Sequence, residues 1–354
     1  LEEEQQQEPE AGNAGEYHMN IPPNVNLKDY IKIVGESEAQ EIHTAGYWRE
    51  QLLERSNGIK VTGDKLPWGK VQENFRLRPN ELTIWGGMNG HRKSMVLGMV
   101  ALSLALQGKK VAIASLEMKP EETLWRMCLQ ASGSKTANPP KEFIEKFTDF
   151  ADENILIYDQ LDSVPTEKVL GFANYCGSEL GVSHIIIDSL AKCGIGVENR
   201  EGEADFINNL AWSAKHLGTH IHLVSHVRKP QSAGEEYVPN KFDVKGTSAL
   251  VDLADNLVIV WADKKRERLK QLDNLDEKQQ EYFDNSFDQK LIVAKQRHGH
   301  WEGTIGLYSH NSLQFTAIEG RAIGFGIENL NKTVDNENMI PDNEVSKEET
   351  NELF

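Results

Sequence analysis

From residue 81 onward the chain alternates short apolar runs with longer stretches in which apolar positions recur three and four apart. The runs at 82–85, 111–115, 155–158, 184–188, 221–225 and 257–261 are rich in Ile, Val, Leu and Trp and read as strands. Helical spacing fills 93–107, 121–131, 141–150, 166–180 and 203–217 between them. Strand followed by helix, repeated, predicts an α/β fold with a mostly parallel sheet. Three further apolar runs, 290–295, 304–308 and 312–316, lack intervening helices and predict an antiparallel addition. The highly charged stretch 263–288 reads as an exposed helical insertion. No internal repeat is present.

Upstream, the stretch 41–58 places Ile42, Ala45, Trp48 or Arg49, and Leu52 on one helical stripe, stopped at Asn57-Gly58. This short amphipathic helix either folds back on its own domain or docks on a neighbour. Four segments follow: a disordered acidic tail over 1–25, a linker with the helix over 26–59, the α/β domain over 60–325, and a second disordered acidic tail over 326–354.

Charge supports that division. The formal net charge is −17, yet residues 1–20 hold six glutamates and no Lys or Arg, and residues 327–354 hold eight acids against Lys332 and Lys347. The middle is therefore only mildly acidic, which keeps nucleic acid open as a partner. No apolar run of 18 residues exists, so no membrane span is expected. Cys128, Cys176 and Cys193 have no metal spacing and read as reduced thiols of a cytosolic protein.

The candidate chemistry begins where the first strand ends, in Trp85-Gly-Gly-Met-Asn-Gly-His-Arg-Lys-Ser. Triphosphate oxygens need converging backbone N–H donors, a helix N-terminus, a Lys ammonium and a hydroxyl for Mg²⁺. The pattern G-x-x-x-x-G-K-[ST] runs from Gly87 to Ser94 and fails at one specified position, where Arg92 replaces the second Gly. The nucleotide-binding set is Gly87, Asn89, Gly90, His91, Arg92, Lys93 and Ser94. Arg92 either keeps the turn with its side chain pointing away or weakens nucleotide binding.

Other strand ends carry polar residues at the carboxyl edge, where an α/β sheet binds its ligand. Glu117, after the second strand, is placed to orient and deprotonate an attacking water. Asp188 ends the apolar run Ile185-Ile-Ile and is the candidate Mg²⁺ carboxylate opposite Ser94. His226 ends the next strand and is placed to feel the γ-phosphate. The long loop 227–246 holds Arg228, Lys229, Lys241 and Lys245, and with Gly246 and Thr247 suits phosphate-backbone contacts. Lys295 and Arg297, two apart at a strand end, project to one side and could reach a neighbouring subunit's nucleotide.

The order Ser115-Leu-Glu-Met, Ile185-Ile-Ile-Asp-Ser, Ser225-His, Val244-Lys-Gly-Thr-Ser-Ala-Leu, Leu253-Ala-Asp-Asn and Ala294-Lys-Gln-Arg-His-Gly resembles the RecA-fold helicase domain of ring-shaped replicative helicases, the DnaB, phage primase-helicase and Twinkle group. The resemblance covers about residues 60–318. It implies a homo-hexamer around single-stranded DNA that hydrolyses ATP or dTTP with Mg²⁺ and moves 5′ to 3′, in a host cytoplasm if phage-encoded. It implies Lys93 and Ser94 as phosphate and Mg²⁺ ligands, Glu117 as catalytic base, Asp188 as the carboxylate assisting the metal and His226 as γ-phosphate sensor. Lys295 and Arg297 would act in trans, and Lys245, Gly246 and Thr247, with Arg228 and Lys229, would touch DNA. The linker helix would pack on the adjacent subunit, and the acidic tail ending Leu353-Phe354 would engage a replicative DNA polymerase. The collar or primase region of that group is absent from this sequence. Two other readings compete: a RecA-like recombinase filament, and a nucleotide-binding scaffold silenced by Arg92.

Overall fold

A computed structural model describes residues 26, 29, 43–56, 62–134, 138–196, 199–228, 234, 236–246 and 248–327. The two acidic tails, apart from positions 326 and 327, lie outside the described residues, as do Lys229 and Thr247.

The helices are α1 (Arg49–Ser56), α2 (Gly69–Gln72), α3 (Lys93–Leu106), α4 (Pro120–Ser132), α5 (Lys141–Asn154), α6 (Thr166–Ser178), α7 (Arg200–Leu217), α8 (Ser248–Leu253), α9 (Lys264–Leu269) and α10 (Glu277–Asp284). The strands are β1 (Leu82–Gly87), β2 (Val111–Ser115), β3 (Ile155–Ile157), β4 (His184–Asp188), β5 (His220–His226), β6 (Asn256–Ala262), β7 (Gln289–Gln296), β8 (Gly303–Ser309) and β9 (Phe315–Thr316). They form one sheet in the order β3-β2-β4-β5-β1-β6-β7-β8-β9. Pairing is parallel from β3 to β6 and antiparallel from β6 to β9, as the apolar pattern predicts.

Both faces of the parallel part are covered, which is why its strands read as unbroken apolar runs. Alternation still divides them: Trp85 and Ile186 face α3, α4 and α5, whereas Leu82, Ile84, Ile185 and Ile187 face α6, α7 and α8. Truncating a fully buried isoleucine such as Ile187 to Ala would cost about 2–5 kcal/mol. Helix ends follow local chemistry. The Asn199 side chain accepts from the Gly202 amide and starts α7 three residues before its apolar periodicity does, and Gly218 closes it in the left-handed region.

The amino half of the sheet holds a buried polar chain. The Trp85 indole donates to His222 Nδ1 (3.1 Å), His222 Nε2 to His184 Nδ1 (3.1 Å), and His184 Nε2 to Asp64 (2.9 Å), which pairs with Lys109. Each donor fixes the next tautomer, so both imidazoles are neutral and the network is fully satisfied.

The structure refines three expectations. The stretch 263–288 is helical and mostly exposed over 270–285, but its ends are anchored: Arg266 is 1 % exposed, bound to Asp288 (3.0 Å) and Glu319 (2.9 Å) and stacked on Phe283. The Arg266 charge pairs inward, which composition cannot show. The loop after β5 runs on to the start of α8 at Ser248, in line with its predicted end. The linker segment is a 3-10 turn (Ala45–Trp48) leading into α1, and it is not folded onto its own domain: Tyr47, Trp48, Leu52 and Leu53 are all exposed. Among the described residues, no helix is long and apolar enough to cross a membrane.

Candidate active site

The parallel register brings the predicted chemistry to one edge. Gly87 pairs with His226, and Ser115 pairs with Asp188, so β1, β5, β2 and β4 end side by side. Between β1 and α3 the chain must turn within five residues beneath a close-packed strand. A Cβ on Gly87 would lie 2.6 Å from the Val260 carbonyl oxygen and 3.1 Å from Lys93, and Gly90 takes a positive φ of 75°. These two positions therefore require glycine, one for approach and one for conformation.

Lys93 opens α3 and folds under the loop. Its Nζ donates to the carbonyl oxygens of Gly87 (2.9 Å) and Met88 (3.1 Å) and to His226 Nδ1 (3.3 Å). Burial lowers its pKa, while Asp188 and Glu117 oppose the shift. Burial likewise lowers that of His226, with the Lys93 charge adding to it. The imidazole is thus a neutral acceptor at Nδ1 with its proton on Nε2.

Ser94 hydrogen-bonds Asp188, whose carboxyl is raised above the ordinary carboxylate value by burial, with the Glu117 charge adding and the Ser94 bond and Lys93 opposing. A hydroxyl and a carboxylate joined at a strand tip form a hard-oxygen donor pair, the chemistry Mg²⁺ takes when waters and phosphate oxygens complete its shell. Glu117 stands exposed at the rim, and one of its oxygens accepts from Ser189 Oγ at 2.7 Å. Ser189, which sequence reasoning did not single out, thus orients the Glu117 carboxylate, and its place directly after Asp188 is a usable signal.

Two members of the predicted loop set are corrected. The His91 ring is buried and turned towards β6, where Nδ1 accepts from the Ala262 amide at 2.9 Å. Burial first and the Lys264 charge second push its pKa down to about 4. Arg92 caps α3 in the left-handed region, at φ 65° and ψ 27°. Its guanidinium leaves the loop to donate to Ser309 Oγ (2.8 Å) and to pair with Glu267 (3.1 Å). The backbone keeps the turn that glycine would make, and the side chain is anchored on β8 and α9. Neither side chain is a phosphate ligand in this arrangement. Asn89 and Gly90 lie exposed at the loop tip.

Lys295 and Arg297 lie at the opposite edge of the sheet, because β7 runs against β6 and Lys295 pairs with Leu257 near the start of that strand. Lys295 donates to the carbonyl oxygens of Val251 and Ala254 (both 2.7 Å), and Arg297 bonds the Asp252 carbonyl (2.8 Å) and Asp255 (3.1 Å). They cannot reach the phosphate loop of their own chain, and within it they cap the carboxyl end of α8. The basic loop starts at the nucleotide edge: the Lys245 amide donates to the His226 carbonyl at 2.7 Å, and Arg228 is exposed beside it. Gly246 takes a φ of 138° and packs against Glu203 of α7.

A family model described as an AAA domain matches residues 73–232, a span holding the phosphate loop, Glu117, Asp188 and His226. A solved ATPase domain is similar to this chain with a TM-score of 0.64 at 15 % identity, covering 78 % of this chain and 100 % of that one. A DnaB-like replicative helicase, solved in a study of its interactions with primase, gives 0.62 at 15 % identity over 78 % of this chain and 69 % of that one. The fold is that of RecA-like helicase ATPase domains.

Proposed function

We propose that this chain is the motor subunit of a ring-shaped DNA helicase that couples nucleoside triphosphate hydrolysis to 5′ to 3′ movement on single-stranded DNA. The observation that carries this reading is His226. Its ring touches the phosphate-loop Lys93, and its backbone carbonyl holds Lys245 of the basic loop. One residue thus joins a nucleotide site to a cationic surface.

In the proposed reaction a water attacks the γ-phosphorus, Glu117 takes the water's proton, and the bond to the bridging oxygen breaks. Ser189 holds Glu117 in place for that transfer. Lys93 neutralises phosphate charge, and Ser94 with Asp188 would hold Mg²⁺, whose chemistry is charge neutralisation across the phosphates. Loss of the γ-phosphate changes what His226 faces and shifts the loop bonded to it.

The exposed stripe of Tyr47, Trp48 and Leu52, together with the edge position of Lys295 and Arg297, supports assembly from copies of this chain in which each completes its neighbour's site. Six copies, and capture of a DNA polymerase by the terminal Phe354, rest on the family resemblance alone.

The test is hydrolysis of ATP and dTTP with and without single-stranded DNA, alongside unwinding of a forked duplex with a free 5′ arm. Stimulation and unwinding are the expected results. Stimulated hydrolysis with filaments in place of closed rings by electron microscopy would favour a recombinase, and no hydrolysis at all would leave a nucleotide-binding scaffold.

A further inference from the structure

We propose that Phe242 is a stacking platform for a base of single-stranded DNA, presented between Lys241 and Lys245 on the loop that follows β5. The proposal rests on the motor reading above and assigns a contact that the sequence did not single out.

Phe242 is 87 % exposed, more than any other large apolar side chain among the described residues. A lone exposed phenylalanine needs no explanation by itself. This one sits on a backbone that is tied down. Asn240 caps the 3-10 turn Lys241–Asp243, its side chain accepting from the Phe242 amide (2.9 Å) while Asp243 accepts from the Asn240 amide (2.8 Å). Val227 bridges Val244 beneath it, and the Trp261 indole donates to the Tyr237 carbonyl (2.8 Å). The ring is therefore held out to solvent on a turn that is tied down on both sides.

The charges around it favour an anionic partner with flat faces. Lys241 lies 5.7 Å from the ring centroid, and Lys241, Lys245 and Arg228 are exposed. None of the three is held in an ion pair among the described residues. The described acids of the loop do not oppose them: Asp243 turns inward to accept from Tyr237 (2.6 Å), and Glu236 pairs with Lys265 (2.8 Å). An apolar protein surface pressed onto Phe242 would have to desolvate those cations. A single strand satisfies both features, because its phosphates meet the cations while an unstacked base meets the ring. Base faces inside a duplex are already occupied, so the site discriminates for single strands. Every base has such a face, so it tolerates any sequence, as a translocating motor needs.

The experiment measures binding of a fluorescent oligothymidylate to the full chain, with a non-hydrolysable nucleotide, across a salt series. Phe242→Ala should weaken binding about 5- to 150-fold without changing the salt slope, since a stacking contact releases no counterion. Lys245→Ala should instead lower the slope by about 0.7. An oligonucleotide of abasic sites should bind wild type and Phe242→Ala equally, and Phe242→Trp should keep the wild-type affinity. Because Phe242 is outside the core, the Ala variant should melt with the wild type. Wild-type affinity in Phe242→Ala while Lys245→Ala weakens binding overturns the stacking role and leaves the basic loop standing. Unchanged affinity in both variants overturns the loop as a DNA surface altogether. A changed assembly size of Phe242→Ala in light scattering would mark the ring as a contact between copies and also overturn the proposal.

Discussion

Lys93 and His226 meet at 3.3 Å across the ends of β1 and β5, with the ammonium donating to Nδ1. An ammonium has no lone pair to offer, so the contact fixes the imidazole tautomer and leaves Nε2–H free. A triphosphate bound as proposed would compete for the same ammonium. The His226 carbonyl meanwhile holds the Lys245 amide, so any movement of the residue is felt in the basic loop.

His226→Ala is expected to retain hydrolysis without DNA and to lose its stimulation by single-stranded DNA. The check is the ratio of the two rates. A variant stimulated as strongly as the wild type would show that the coupling runs elsewhere.

Lys93→Ala and Glu117→Gln should fail in different ways, because in the proposed mechanism one residue binds phosphate and the other serves only the chemical step. Lys93→Ala should lose nucleotide affinity. Glu117→Gln should bind nucleotide like the wild type and hydrolyse about 10²- to 10⁴-fold more slowly. Hydrolysis by Glu117→Gln at the wild-type rate removes it as the base.

Arg92 sets two effects against each other. Its left-handed backbone costs about 1–2 kcal/mol relative to glycine. The pair with Glu267 is partly exposed and returns under about 1 kcal/mol. Arg92→Ala keeps the strain and loses the anchors, so it should melt below the wild type, whereas Arg92→Gly should recover that loss. Because the guanidinium faces β8 and α9, nucleotide affinity should change little in Arg92→Gly, and a marked drop would return Arg92 to the ligand set.

Acid stability follows from the buried imidazoles. His91 is lowered from 6.5 to about 4, so the unfolded chain binds its proton more readily in between. Its contribution, roughly 3 kcal/mol at most, is complete above pH 6.5 and is lost as pH falls to about 4. His184, His220 and His222, all lowered by burial, act in the same direction, as does Asp64, held below its usual value by His184 and Lys109 against the effect of burial. Asp188 and Glu81, raised by burial, act oppositely. Melting of wild type and His91→Asn at pH 7 and pH 4.5 should show a smaller acid loss in the variant. Equal losses would assign the acid sensitivity to the other groups.

Arg297 is expected to serve a neighbouring copy. Mixing Arg297→Ala with Lys93→Ala subunits places some intact halves together, and activity regained on mixing supports that role. Removing such a cation should cost about 10³- to 10⁵-fold in turnover. Two inactive variants that co-assemble and stay inactive at every ratio would leave Arg297 as a partner of Asp255 and the α8 carbonyls.

The alternation of β1 to β6 with helices was legible in the sequence because burial on both faces forces unbroken apolar runs, and the phosphate loop because Gly87, Gly90, Lys93 and Ser94 answer local demands of turn, helix start and charge. What only the tertiary structure decided depends on contacts distant along the chain. Arg92 turns away because Ser309 and Glu267, far away in sequence, receive it. Arg266 is buried because Asp288 and Glu319 neutralise it. Phe242 is presented because Asn240 caps its turn, and Asp243, folded inward onto Tyr237, leaves the neighbouring cations unopposed. Periodicity and motif spacing report which residues an element needs, whereas the direction of a long side chain is set by which partners the packed sheet brings within reach.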